Sequence, residues 1–180
     1  SVYKGRPSSN NDTNNDFRNS SINNYVPAAE EMVRRGYFVI RMGHVVSEAL
    51  RTTNPMIIDY ATNGRTDFMD IFLCARCRLF FGCCNGLVGV PRLFRRPVVS
   101  GNYITLFPRT TGALYPGELL IPKKLWRCEE RRFMTFRELL EIGNFEFRIS
   151  RDFERQGVEV VENTPEELLA VAVEMDERIK

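Results

Sequence analysis

Chemistry in this chain gathers first at Gly82-Cys83-Cys84-Asn85-Gly86, a turn of small residues between the apolar run Leu79-Phe80-Phe81 and the segment Leu87–Phe94. A buried strand that feeds such a turn and then a helix start leaves backbone N–H groups free at the positive end of the helix dipole, which is phosphate-binding chemistry. The side chain of Asn85 and the amides of Gly86 and Leu87 suit a diphosphate there. No GxGxxG motif is present, so the turn marks a ligand edge without naming the ligand. In a parallel α/β sheet, ligands collect outside the carboxyl ends of the strands. Arg41-Met42-Gly43 and Asp59-Tyr60 are expected at such ends as well. Gly43 then adds to the diphosphate site, Arg41 or Arg18 supplies positive charge, and Asp59 or Asp67 suits the hydroxyls of a ribose.

Each of these residues also has a plainer use. Carboxylates in the first turn of a helix stabilise it through the dipole by roughly 0.3–1 kcal/mol each, which accounts for Asp70 and competes evenly with a ligand role for Asp67. Arg41 sits among apolar strand residues, where an unpaired charge is costly, and either Asp59 on a neighbouring strand or a phosphate meets that need. Arg18-Asn19 precedes a helix and fits capping as well as a ligand edge. His44, the one histidine, falls in a loop and reads as a solvated side chain rather than a general base. Cys74, Cys77, Cys83 and Cys84 have the wrong spacing for a tetrahedral metal site and read as small buried thiols, so no metal is assigned. The basic residues Arg92, Arg95 and Arg96, with Lys123, Lys124, Arg127, Arg131 and Arg132, are a solvated surface or a contact for phosphates, a lipid-linked sugar or an anionic membrane face.

The elements that must position these residues follow from periodicity. Val2–Lys4 reads as the tail of a strand, followed by a polar loop over 8–16. Ser20–Arg35 reads as a helix with Ile22, Val26, Ala29 and Val33 on one face, provided that Pro27 falls in its first turn, and Gly36 ends it. Tyr37–Met42 and Met56–Tyr60 read as strands, Phe68–Ala75 as a helix, and Val98–Val99 as a strand that Ile104–Leu106 extends or follows. Residues 107–134 read as irregular. Thr135–Ile142 and Ile149–Gln156 are short helices, and Val158–Val161 is a strand. Thr164-Pro165-Glu166-Glu167 opens the closing helix over 164–180, with Leu168, Val171, Ala172, Met175 and Ile179 on one stripe.

Strands alternating with helices imply an α/β fold: a Rossmann-like, mainly parallel sheet flanked by helices in a single domain spanning residues 1–180. With 25 basic and 23 acidic side chains the net charge is +2, which argues against a nucleic-acid partner. Hydrophobic residues make up 43% of the chain and no apolar run approaches the roughly 20 residues of a membrane span. Five cysteines, an odd number with four of them crowded between Cys74 and Cys84, suit a reducing cytoplasm. A first strand cut at residue 1 leads us to expect an upstream segment.

The runs RNSSINNYVPAAEEMVRRGYFVIRMG, IIDYATNGRTDFMDIFLCARCRLFFG, NGLVGVPRLFRRPVV, LLIPKKLW, TFRELLE and ENTPEELLAVAVEM together resemble an uncharacterised bacterial family of glycosyltransferases, over nearly the whole chain. The resemblance implies the C-terminal, donor-binding half of a GT-B enzyme involved in polysaccharide biosynthesis, loosely similar to fucosyltransferase-like enzymes. It implies a nucleotide sugar as donor substrate, with no separate cofactor. It also implies a glycan or lipid-linked acceptor, an N-terminal domain supplying the catalytic base, and a cytoplasmic location at the inner membrane face. Arg6 fills the place of an arginine that ends the family's first strand, and Arg6 and Arg18 are the candidates to stabilise the leaving diphosphate. Where the family more often has Thr-Ser-Gly-Leu, this chain has Cys84-Asn85-Gly86-Leu87, which loses a hydroxyl but keeps a hydrogen-bonding side chain. The alternative from another class is a non-catalytic nucleotide or sugar-phosphate binding module.

Overall fold

The computed structural model describes residues 16–83, 86–104, 117–141 and 150–180. The expected first strand at Val2–Lys4 and almost all of the polar loop over 8–16 lie outside these residues.

The first helical segment begins as a 3-10 turn, Ile22–Tyr25, and runs into helix α1 (Val26–Arg34). The side chain of Ser21 accepts from Asn23 N and caps the turn. Pro27 lies in the first turn of α1, where its missing N–H costs nothing. Gly36, at φ +94°, ends the segment in a conformation that favours glycine. Strands β1 (Val39–Ile40) and β2 (Ile57–Ile58) pair in parallel. Both are shorter than the apolar stretches around them; Pro55 has no N–H to give a ladder ahead of β2, and past Ile40 the pairing goes on only through Arg41, whose N donates to Ile58 O at 2.9 Å and whose O accepts from Ala61 N at 3.1 Å.

Helix α2 (Asp67–Arg76) is capped by Thr66, whose hydroxyl accepts from Met69 N at 3.2 Å. It leads to β3 (Phe80–Gly82), then through a 3-10 turn at Gly86–Val88 to α3 (Gly89–Leu93) and β4 (Val98–Tyr103). Strand β5 (Glu118–Pro122) completes a parallel sheet of order β3-β4-β5.

The described part of 107–134 corrects the expectation of an irregular segment. It contains β5, β6 (Lys124–Arg127) and β7 (Arg132–Phe133). Pro122 obscured β5 in the sequence, yet it is the last residue of a strand at the sheet edge, a place where a missing N–H is tolerated. After helices α4 (Phe136–Glu141) and α5 (Ser150–Arg155), β8 (Val158–Val161) pairs antiparallel with β6. A third sheet, of order β7-β6-β8, is therefore antiparallel throughout, and the fold is mixed α/β in one domain, with parallel sheets flanked by helices, rather than a single mainly parallel sheet.

Helix α6 (Pro165–Arg178) has the expected capping box: Glu167 N donates to Thr164 Oγ1 at 3.3 Å and Thr164 N to Glu167 Oε2 at 2.8 Å. Its stripe covers the parallel sheet. Val171 and Met175 pack with Val99, and Ala172 packs with Ala28 and Met32 of α1. A Cβ on Gly101 would come within 2.8 Å of the Phe81 ring and 2.9 Å of Leu168, so only glycine lets α6 lie this close to β4. Among the described residues no helix is long and apolar enough to cross a membrane.

Candidate ligand-binding edge of the parallel sheet

The carboxyl ends of β3, β4 and β5 open onto residues 19–25, which cross this edge before α1 begins. Strand β4 makes the site possible by breaking its own regularity. Its register against β5 shifts between Ser100 and Tyr103, and Asn102 sits at φ +51° in that irregularity. Asparagine tolerates the left-handed region better than most residues, and bulges of this kind re-aim a side chain. Here the bulge turns a fully buried amide toward α6. Asn102 N donates to Asn163 Oδ1 at 3.0 Å, and Asn163 N returns a bond to Asn102 Oδ1 at 2.7 Å. Asn163 Nδ2 donates to the carbonyl of Pro122 at 2.9 Å, and Asn102 Nδ2 to Tyr25 Oη at 3.1 Å.

Tyr25 closes the network from the other side. Its ring packs edge-on against Phe81 at 5.0 Å between centroids, and its hydroxyl lies 3.5 Å from Ser20 Oγ. Burial, and next the nearby Cys83 thiol, push the Tyr25 hydroxyl well above its ordinary range, so it stays protonated at neutral pH. Lys123, immediately after β5, is buried; its backbone N–H bonds Tyr103 O at 2.8 Å and its ammonium group bonds the carbonyl of Asn19. The edge thus combines neutral amide and hydroxyl groups with one buried cation.

Two carboxylates occupy the start of the Ile22–Tyr25 turn. Glu162, just after β8, accepts from Ser21 N at 3.1 Å and Asn24 Nδ2 at 3.1 Å. Glu48 accepts from Ile22 N at 2.6 Å and Asn23 Nδ2 at 3.0 Å. Burial raises the Glu48 carboxyl, but the hydrogen bonds from Ser21, Ile22 N and Asn23 outweigh it and hold the group below the usual range. The chain's own anions therefore satisfy the N–H groups that a helix start offers to a phosphate.

Comparison with models of protein families, with curated proteins and with solved structures finds no match to this chain.

Of the residues singled out from sequence, Arg41 and Asp59 come together at the carboxyl ends of β1 and β2. Arg41 Nη1 donates to Asp59 Oδ2 at 3.1 Å and Nη2 to the carbonyl of Glu48 at 2.8 Å, with the side chain only 5% exposed. The plainer use of Arg41 is the one that the geometry displays. Gly43 is buried close by, and His44 is exposed. Asp67 stands apart at the start of α2, where it shares Arg65 with Asp70 at 2.9 and 2.7 Å. Arg18 ends the 3-10 turn Asp16–Arg18 with its guanidinium 5.7 Å from the Phe17 ring centroid.

At the small-residue turn, Gly86 is exposed and Leu87 packs against the cluster of Cys74, Phe80 and Val98. A 3-10 turn and a five-residue helix follow, not the regular helix start expected over Leu87–Phe94, so the dipole at this turn is small. Arg6 and Asn85 lie outside the described residues.

Sequence reading missed Tyr25, Asn102 and Asn163, and it put Lys123 in a basic cluster read as solvated surface or phosphate contact, whereas Lys123 is buried. A signal for Asn102 was present: Ser100-Gly101-Asn102 puts a glycine and a turn-former inside a strand pattern, the mark of a bulge. Nothing local marks Lys123, whose burial depends on Asn19, 104 positions away.

Proposed function

We propose that this domain binds a nucleotide-activated sugar at the carboxyl edge of β3-β4-β5, as the donor-binding part of a glycosyltransferase acting toward a glycan or lipid-linked acceptor. One observation carries the reading: a bulged strand aims Asn102 at Tyr25, and Lys123, buried just after β5, sets its ammonium group against the Asn19 carbonyl, at the edge where parallel α/β sheets hold ligands. Neutral donors and acceptors match the hydroxyls of sugar and ribose, and a cation matches a diphosphate. Catalysis in this reading is electrostatic, with Lys123 and backbone N–H groups offsetting charge on the departing diphosphate.

A second reading, a non-catalytic nucleotide or sugar-phosphate binding module, draws support from Arg41. That guanidinium is committed to Asp59 and the carbonyl of Glu48, which leaves less free cationic charge for a leaving group.

Thermal shift against nucleoside diphosphates and their sugar conjugates tests both, because a ligand of the native state raises Tm by mass action. The expected result is a selective rise with one nucleotide sugar, lost in Lys123→Met and reduced in Tyr25→Phe. Release of nucleoside diphosphate in the presence of an acceptor then favours the transferase; binding without release favours the module. A folded sample that responds to none of these ligands overturns both.

A further inference from the structure

Helix α2 is apolar on two sides. Its inner side packs Cys74 against Phe80 and Val98. Its outer side shows Phe68, Ile71 and Phe72, at helical spacing i, i+3, i+4, with exposures of 74%, 47% and 46%. The rings of Phe68 and Phe72 stack on each other at 6.0 Å. Helices with apolar residues all round are normally covered all round. Next to α2, α3 adds Leu93 and Phe94, also exposed, and Arg96 Nε donates to the carbonyl of Ala75 at 2.6 Å, tying the end of α3 to the last turn of α2.

The charge around this surface is uneven. Asp67 and Asp70, at the first turn of α2, both face Arg65. Arg76 and Arg95, at the other end, are exposed, and neither forms an ion pair among the described residues. Large apolar side chains beside uncompensated arginines match the acyl boundary and phosphates of an anionic bilayer. The surface is small for a protein partner: at about 200 Å² per large side chain, its exposed part is roughly 600 Å², below the ~800 Å² per partner of a standard interface.

We infer that the outer face of α2, with Leu93 and Phe94 of the neighbouring segment and the flanking Arg76 and Arg95, docks on an anionic lipid surface. This surface is separate from the carboxyl-edge site, so the inference stands independently of the ligand proposed there.

Co-sedimentation of the full chain with vesicles tests it, comparing phosphatidylcholine alone with phosphatidylcholine containing phosphatidylglycerol. Binding is expected only to the anionic vesicles and should weaken at high salt. The double variants Phe68→Ser/Phe72→Ser and Arg76→Glu/Arg95→Glu should each reduce it at least about ten-fold, with circular dichroism confirming the fold. Phe68→Trp supplies a second readout, a blue-shifted emission on anionic vesicles above the signal of Trp126. Equal binding by the Phe68→Ser/Phe72→Ser variant, or no vesicle binding by a folded chain, overturns the inference. So does a concentration-dependent dimer that the same variant abolishes without any vesicle binding, which would make a second copy the occupant.

Discussion

Two polar networks are buried at different places in this fold, and they are built from different chemistry. Asp176 of α6, with no side-chain exposure, accepts from Tyr37 Oη at 2.5 Å, Arg35 Nη1 at 2.7 Å and Lys180 Nζ at 3.0 Å. At the carboxyl edge, Asn102, Asn163 and Tyr25 are joined without a formal charge in the network. The first ties α6 to the end of α1 and the entry to β1. A buried carboxylate justifies its desolvation only when every oxygen is matched, as here. Neutral amides and hydroxyls are cheaper to bury and retain spare donors and acceptors. Charge fixes α6 to the end of α1, and neutral polarity joins β4 to Tyr25 and Asn163.

That contrast can be broken at several points. Asp176→Ala should have the largest effect, about 3 kcal/mol in denaturant unfolding, because it strands buried donors on Arg35 and Tyr37. The pH dependence should separate the two networks. Burial raises the Asp176 carboxyl, but hydrogen bonds from Tyr37, Arg35 and Lys180 outweigh it and hold it at about 2, below the ordinary 3.8. A folded-state value below the unfolded one means that this contribution is fully present above about pH 4 and is lost as pH falls toward about 2. Acid titration of stability should therefore show a smaller drop over that window in Asp176→Asn than in the wild-type chain.

Asn163→Ala should cost about 2 kcal/mol, since Asn102 N and the Pro122 carbonyl lose their partner together, and that cost should not change across the same acid window. Gly101→Ala should cost about 1–3 kcal/mol through overlap with Phe81 and Leu168, and should disturb ligand response and stability together. The smallest effect should come from Thr164→Ala, about 1 kcal/mol from the lost cap, with ligand response intact. An Asn163→Ala variant as acid-sensitive as wild type minus Asp176 would erase the distinction between the networks.

The elements were readable where local physics decides them. Thr164-Pro165 and Glu167 set the start of α6, and the apolar stripe from Leu168 to Met175 set its buried face, because capping and 3.6-residue periodicity are local properties. Val158–Val161 was legible as a strand, though not its antiparallel partner β6, since pairing direction is chosen across the sheet. Residues 118–133 misled because proline, glycine and arginine look like loop until a neighbouring strand supplies the ladder. In the site, the Arg41–Asp59 pair was foreseeable from the cost of a lone buried charge, and the geometry bears it out.

The sequence alone determined the capped starts of α2 and α6 and the buried stripe of α6, whereas α1 buries Ala28 and Met32 rather than the expected Ile22, Val26, Ala29 and Val33, and Phe68, Ile71 and Phe72 of α2 face outward. Tertiary structure alone decided that Asn102 would meet Asn163 across 61 positions, that Lys123 would be buried against Asn19, and that Glu48 and Glu162 would take up the N–H groups at the start of the Ile22–Tyr25 turn. The reason is one of range. Capping and periodicity act within a turn or two of chain, whereas burial of a polar group is settled only by partners that the fold brings from far away.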